Sequence, residues 1–178
     1  MAESIYGAGA APLAIGHRGG AGLAAENTLD AFGRSYALGV RYLETDVRVA
    51  GRRGMVRGAT RRELAGFGVP TLDEVLVAYP DACFTVDVKE GSAVAPLART
   101  LRATKAAHRV CVAGAWDGWL AGVRHEVGPA LTTALGWRAA LDARGRHAGR
   151  DVRGRGEREP PRHDHLRIPH RRRCAIRR

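Results

Sequence analysis

Short apolar runs alternate along the chain with stretches of helical spacing. "PLAIGH" (12–17) predicts a buried strand that stops at a His-Arg-Gly-Gly turn. "ENTLDAFGRSYALG" (26–39) predicts a helix. Asn27 or Thr28 stands ready as its cap, and Leu29, Phe32, Tyr36 and Leu38 follow roughly helical spacing. "YLETDVRV" (42–49) alternates with period two, so Glu44, Asp46 and Arg48 share one strand face. Further strands are predicted at 83–89, 109–116 and 130–137, and further helices at 60–67, 71–79, 93–106 and 118–128. Strand and helix alternate at βα spacing. That pattern predicts an α/β fold with a parallel sheet covered by helices, either a barrel or an open sheet.

From Asp142 onward neither period is present. Residues 142–178 carry thirteen Arg, no Lys and five Asp or Glu, a net +8 within the whole-chain +11. So few large apolar residues cannot offset the entropy of ordering. The expected organisation is therefore an α/β domain over 1–141 and a disordered Arg-rich tail over 142–178. No aromatic residue interleaves the tail's arginines, so only nonspecific nucleic-acid affinity is expected of it. No run of about 18 apolar residues predicts a membrane span. Cys83, Cys111 and Cys174 show neither metal-ligand nor disulfide-framework spacing; Cys83 and Cys111 sit in strand-like runs and fit buried thiols, as in a reducing cytoplasm.

The candidate chemistry lies where strands end. In parallel α/β folds the C-terminal strand ends form the functional face. Here those ends carry His17-Arg18, Glu44-x-Asp46 and Asp87-x-Lys89, with Glu26 and Asn27 starting the helix after the first strand. Carboxylates two apart on a strand point the same way and suit Mg²⁺ or Ca²⁺. Arginine holds phosphate oxygens bidentately, and histidine moves protons near neutral pH. Together they describe hydrolysis of a phosphate ester. Each piece also has a plainer reading: a turn, a solvated strand edge, or an Asp87–Lys89 pair.

The order "GHRG", "ENT..AF....A..G", "LE.DV", "VPTL.EVL" and "VDVK" resembles the glycerophosphodiester phosphodiesterase family over approximately 13–137. The resemblance implies a (β/α)8 TIM-barrel fold, similar to that of phosphatidylinositol-specific phospholipases. It implies hydrolysis of a small glycerophosphodiester to an alcohol and glycerol 3-phosphate with a divalent cation, Ca²⁺ or Mg²⁺. His17 matches the first of two catalytic histidines, and Arg18 the phosphate-binding arginine. Glu44 and Asp46 match metal carboxylates. Asp87 stands where the family usually has a glutamate ligand, and Lys89 matches that strand's lysine. Glu26 and Asn27 match the supporting "ENT" box.

Two departures accompany these matches. The family segment carrying "HD" and the second catalytic histidine has no counterpart: no histidine occurs between His17 and His108, and the chain reads as shortened at about 50–54. His108, in a helix–strand connection, is no convincing substitute. Beyond Trp137 the family's later strands give way to Arg, Gly, Pro and His, as in a GC-rich gene read out of register. An eight-stranded barrel typically takes about 250 residues, so an incomplete barrel is expected from this chain of 178. Expected function is then a phosphodiesterase with impaired activity, or a phosphodiester- and metal-binding remnant without turnover.

Overall fold

The computed structural model describes residues 3–8, 13–49 and 61–151. Within them, strands β1 (Ile15–Gly16), β2 (Tyr42–Val47), β3 (Cys83–Val88), β4 (Val110–Gly114) and β5 (Thr132–Thr133) form one sheet. Every pairing is parallel and the order is sequential, β1-β2-β3-β4-β5. Sequential parallel order is how a (β/α)8 barrel is wound; a doubly wound sheet reverses its order partway. Among the described residues no pairing joins β1 to β5, so the sheet is an open, barrel-like arc.

Helices α1 (Leu29–Ala37), α2 (Arg61–Gly66), α3 (Leu72–Ala78), α4 (Val94–Ala103) and α5 (Asp117–Val127) fall where helical spacing places them. Period-two alternation divides each long strand between two environments. Leu43, Phe84, Val86, Val88, Val110 and Val112 face the helices, buried with Phe32, Leu76, Leu97, Leu101 and Val123. Burying each large side chain contributes about 1.5–3 kcal/mol. The alternate positions, Tyr42, Glu44, Asp46, Cys83, Thr85 and Asp87, lie on the opposite, concave face. Pro96 sits in the first turn of α4, where its missing N–H would have no helical partner.

Several local readings are corrected. Of the two cap candidates Asn27 and Thr28, Thr28 caps α1: its hydroxyl accepts the Ala31 N–H at 3.3 Å. Leu29 and Leu38 are exposed, so the buried stripe of α1 is Ala31, Phe32 and Ser35. The strand expected over 130–137 shrinks to β5, because helix α6 (Trp137–Asp151) begins inside it. Asp117 caps α6 from a distance, accepting the Arg138 N–H at 3.0 Å. That helix also crosses the boundary expected at Asp142; residues 152–178, like the shortening at 50–54, lie outside the described residues.

Arg109, just before β4, is only 6% exposed. Its guanidinium donates to the Leu76 carbonyl at 2.7 Å, to Ala82 at 2.8 Å and to Tyr79 at 3.2 Å, and lies over the Phe84 ring. Burial pulls its pKa below the usual arginine range. The side chain thus closes the C-terminal end of α3, whose last carbonyls have no helical donors. Arg109→Met keeps the apolar stem and strands three carbonyls. It should lower the unfolding free energy by about 2–4 kcal/mol in chemical denaturation; an unchanged midpoint would contradict this role.

Candidate phosphate and metal site

The His-Arg-Gly-Gly turn leaves β1 in a left-handed course. Arg18 has φ 52°, Gly19 φ 77° and Gly20 φ 122°. Helix α1 packs directly against this turn. A Cβ on Gly20 would lie 2.2 Å from the Ser35 hydroxyl, which itself donates to the Gly19 carbonyl at 2.7 Å. A Cβ on Gly19 would meet the Phe32 ring at 2.9 Å. Only glycine meets both the dihedral and the packing demand there.

A left-handed arginine costs of order 1–3 kcal/mol and persists only where its surroundings hold it. Here they do. The Arg18 N–H donates to Glu44 Oε2 at 2.7 Å, and the Arg18 carbonyl accepts the Asn27 N–H at 2.9 Å. Arg18 Nη1 donates to Glu26 Oε2 at 2.7 Å. Asn27, also left-handed at φ 57°, turns its Oδ1 to the Thr45 hydroxyl at 2.9 Å and the Asp46 N–H at 3.4 Å. Glu26 and Asn27 therefore buckle the turn to Arg18 on one side and to β2 on the other.

The β2–β3 register pairs Asp46 with Asp87 and Glu44 with Thr85. Carboxylate oxygens of Glu44, Asp46 and Asp87 consequently lie within 4.8 Å of one another. Cations surround them. Arg18 Nε is 3.3 Å from Asp46 Oδ2, an ion pair without hydrogen-bond alignment. Lys89 Nζ lies 2.9 Å from Asp46 Oδ1 and hydrogen-bonds Asp87 Oδ2. His17 Nε2 stands 3.8 Å from Glu44 Oε2 with its side chain largely in solvent. Asp87 and Lys89 do pair with each other, as the plainer sequence reading has it, but Asp46 shares that lysine. Arg48, expected on the same face, is drawn off to Glu90 at 3.6 Å, and Glu90 also accepts the Val49 N–H.

Burial pushes the Glu44 carboxyl above the usual glutamate range, and the Arg18 N–H offsets only part of this. Burial would lower the Lys89 ammonium, but its hydrogen bonds to Asp87 and Asp46 outweigh burial and hold it above the usual lysine range. The hydrogen bond to Glu26 holds Arg18 above the usual arginine range. His108 is not brought to this cluster. It precedes β4, at the N-terminal edge of the parallel sheet, and its carbonyl accepts the Ile5 N–H at 2.8 Å. His125 lies in the last turn of α5, which runs back toward that same edge.

A folded-state carboxyl pKa above the unfolded value means that the folded chain holds the proton more tightly. The stability from Glu44 is complete below the ordinary glutamate range and is lost as pH rises through the folded value. With a chelator present, Glu44→Gln should flatten the fall in urea-unfolding free energy as pH rises above the ordinary glutamate value of about 4.3. An unchanged slope would contradict the buried assignment of Glu44.

Comparison with known proteins bears on the same strand ends. A family model described as "Glycerophosphoryl diester phosphodiesterase family" matches residues 17–51. The chain is 31% identical over 124 residues to "Probable glycerophosphodiester phosphodiesterase 2" of Mycobacterium tuberculosis; the match covers 56% of this chain and 47% of that protein. The chain thus spans about half the length of this curated relative. Its fold is similar to the glycerophosphoryl diester phosphodiesterase domain of an uncharacterized Mycobacterium tuberculosis protein, with TM-score 0.62 and 19% identity over 77% of this chain and 64% of that one. It is also similar to a Silicibacter pomeroyi protein described as a glycerophosphoryl diester phosphodiesterase, with TM-score 0.58 and 22% identity over 67% of this chain and 62% of that one. The family match falls on the turn and β2 that carry the candidate site, and the two solved structures share the chain's fold.

Proposed function

We propose that the site takes a glycerophosphodiester and cleaves it to an alcohol and glycerol 3-phosphate with a divalent cation. One observation carries this reading: three carboxylates converge at consecutive strand ends beside Arg18 and His17. Oxygen-only donors at this spacing fit a hard cation such as Ca²⁺ or Mg²⁺. Glu44, Asp46 and Asp87 would hold it; once bound, it would supply charge stabilisation at the phosphoryl oxygens. Lys89 now lies against Asp46 and Asp87, so it would yield their oxygens and turn its ammonium toward the phosphodiester. Arg18, fixed by Glu26 and the Asn27 N–H, would bind a phosphoryl oxygen from the other side. His17, exposed at the rim, would move the proton at the reacting oxygen. The buried free thiols Cys83 and Cys111 support a reducing cytoplasm as the setting.

A second reading has its own observation. The stretch between His17 and His108 contains no histidine, and among the described residues no second histidine stands beside His17. Arg18 and the carboxylates would then bind a phosphodiester without turning it over.

Positioned acid–base help is worth typically 10²–10⁴-fold. With Ca²⁺ or Mg²⁺, turnover of glycerophosphocholine by this chain should fall below that of an intact relative by about that 10²–10⁴ factor. His17→Ala should abolish most of the remainder. Binding by calorimetry with no turnover would establish the second reading. Turnover equal to an intact relative would show that another group replaces the missing histidine.

A further inference from the structure

The concave face of the sheet carries a row of in-register neighbours: Glu44 beside Thr85, Thr85 beside Cys111, and Cys111 beside Thr132. In a closed barrel such rows are filled by side chains from every strand. Five strands form the sheet among the described residues, and the segment Ser4–Gly7 lies across this face instead. Ser4 Oγ is 2.7 Å from Thr132 Oγ1. Tyr6 OH is 2.5 Å from Thr85 Oγ1. The Gly7 N–H donates to the Tyr42 hydroxyl at 3.2 Å. The Tyr6 ring meets the Tyr42 ring edge-on, with centroids 5.4 Å apart at 82°. Burial raises the Tyr6 phenol.

Tyr42 is two residues before Glu44 on β2, and Thr85 is two residues before Asp87 on β3. Tyr6 therefore touches the inward residue immediately beneath a carboxylate on each of the two strands that build the cluster. We propose that Tyr6 is a positioning residue for the Glu44–Asp46–Asp87 site: it fills the concave face under the carboxylates and fixes β2 and β3 from below. The inference rests on the cation reading of that cluster. Without the phenol, water reaches the row under Glu44, and Tyr42 and Thr85 lose their shared partner. A metal site loosened by a fraction of an ångström loses affinity.

The test uses the whole chain in a Cys174→Ser background, with two readouts. Calorimetry measures Mg²⁺ and Ca²⁺ affinity; an aromatic disulfide reagent measures the labelling rates of Cys83 and Cys111. Tyr6→Ala should weaken cation binding about tenfold, the scale of outer-sphere support, and speed labelling of both thiols. Tyr6→Phe keeps the ring against Tyr42 and removes only the hydroxyl. It should keep the thiols protected and show a smaller loss of affinity in the same direction, which reads the role even if Tyr6→Ala fails to fold. Thiols of Tyr6→Ala that label at the parent rate would show that the segment does not cover the face. Faster labelling with unchanged affinity would show that it covers without positioning. Either result overturns the inference. A parent chain that binds no cation overturns the cluster's cation reading instead, and labelling still reports whether the segment is seated.

Discussion

The register of β2 against β3 sets Asp46 beside Asp87 with Glu44 one inward position below. Like charges directly opposite on neighbouring strands repel, so this register requires positive charge at the same place. Lys89 meets the requirement from β3's own end, and Arg18 meets it from the turn after β1. Arg18 reaches that position only because its backbone is left-handed, and the next two glycines let α1 close over it. Glu26 and Asn27 then hold the arginine in place. The turn, the start of α1 and the two strands are one electrostatic unit.

The unit was legible in the sequence to the extent that its determinants are local. Period-two alternation places Glu44 with Asp46 and Asp87 with Lys89, and a glycine pair after a strand marks a turn of unusual dihedrals. The partner of each group was less legible. Asn27 is by sequence one of two cap candidates, yet its side chain bonds Thr45 of β2, eighteen residues away. Helix α6 has almost no apolar period, and its N-terminal cap comes from Asp117. Arg109 reads as one more surface arginine until α3 is folded over it. The segment Ser4–Gly7 has no periodicity at all; its contacts lie 35 to 128 residues downstream. Local pattern shows which face a residue takes, while partners across the fold depend on tertiary packing.

The same physics bounds the chemistry. Parallel winding gathers His17, Arg18 and the carboxylates at one edge and sends His108 and His125 to the other. Among the described residues, His17 is the histidine that stands beside the carboxylates. The cluster's cations and anions are matched by ion pairs and hydrogen bonds, so the proposed exchange of Lys89 for a divalent ion would be a local rearrangement of one flexible side chain.

Diffraction from crystals grown with Ca²⁺ tests that exchange most directly. An anomalous peak is expected about 2.3–2.6 Å from an oxygen of each of Glu44, Asp46 and Asp87, with the Lys89 ammonium moved away from Asp46 and Asp87. A lysine still bridging those two carboxylates, with no peak at the three-carboxylate cluster, would contradict it.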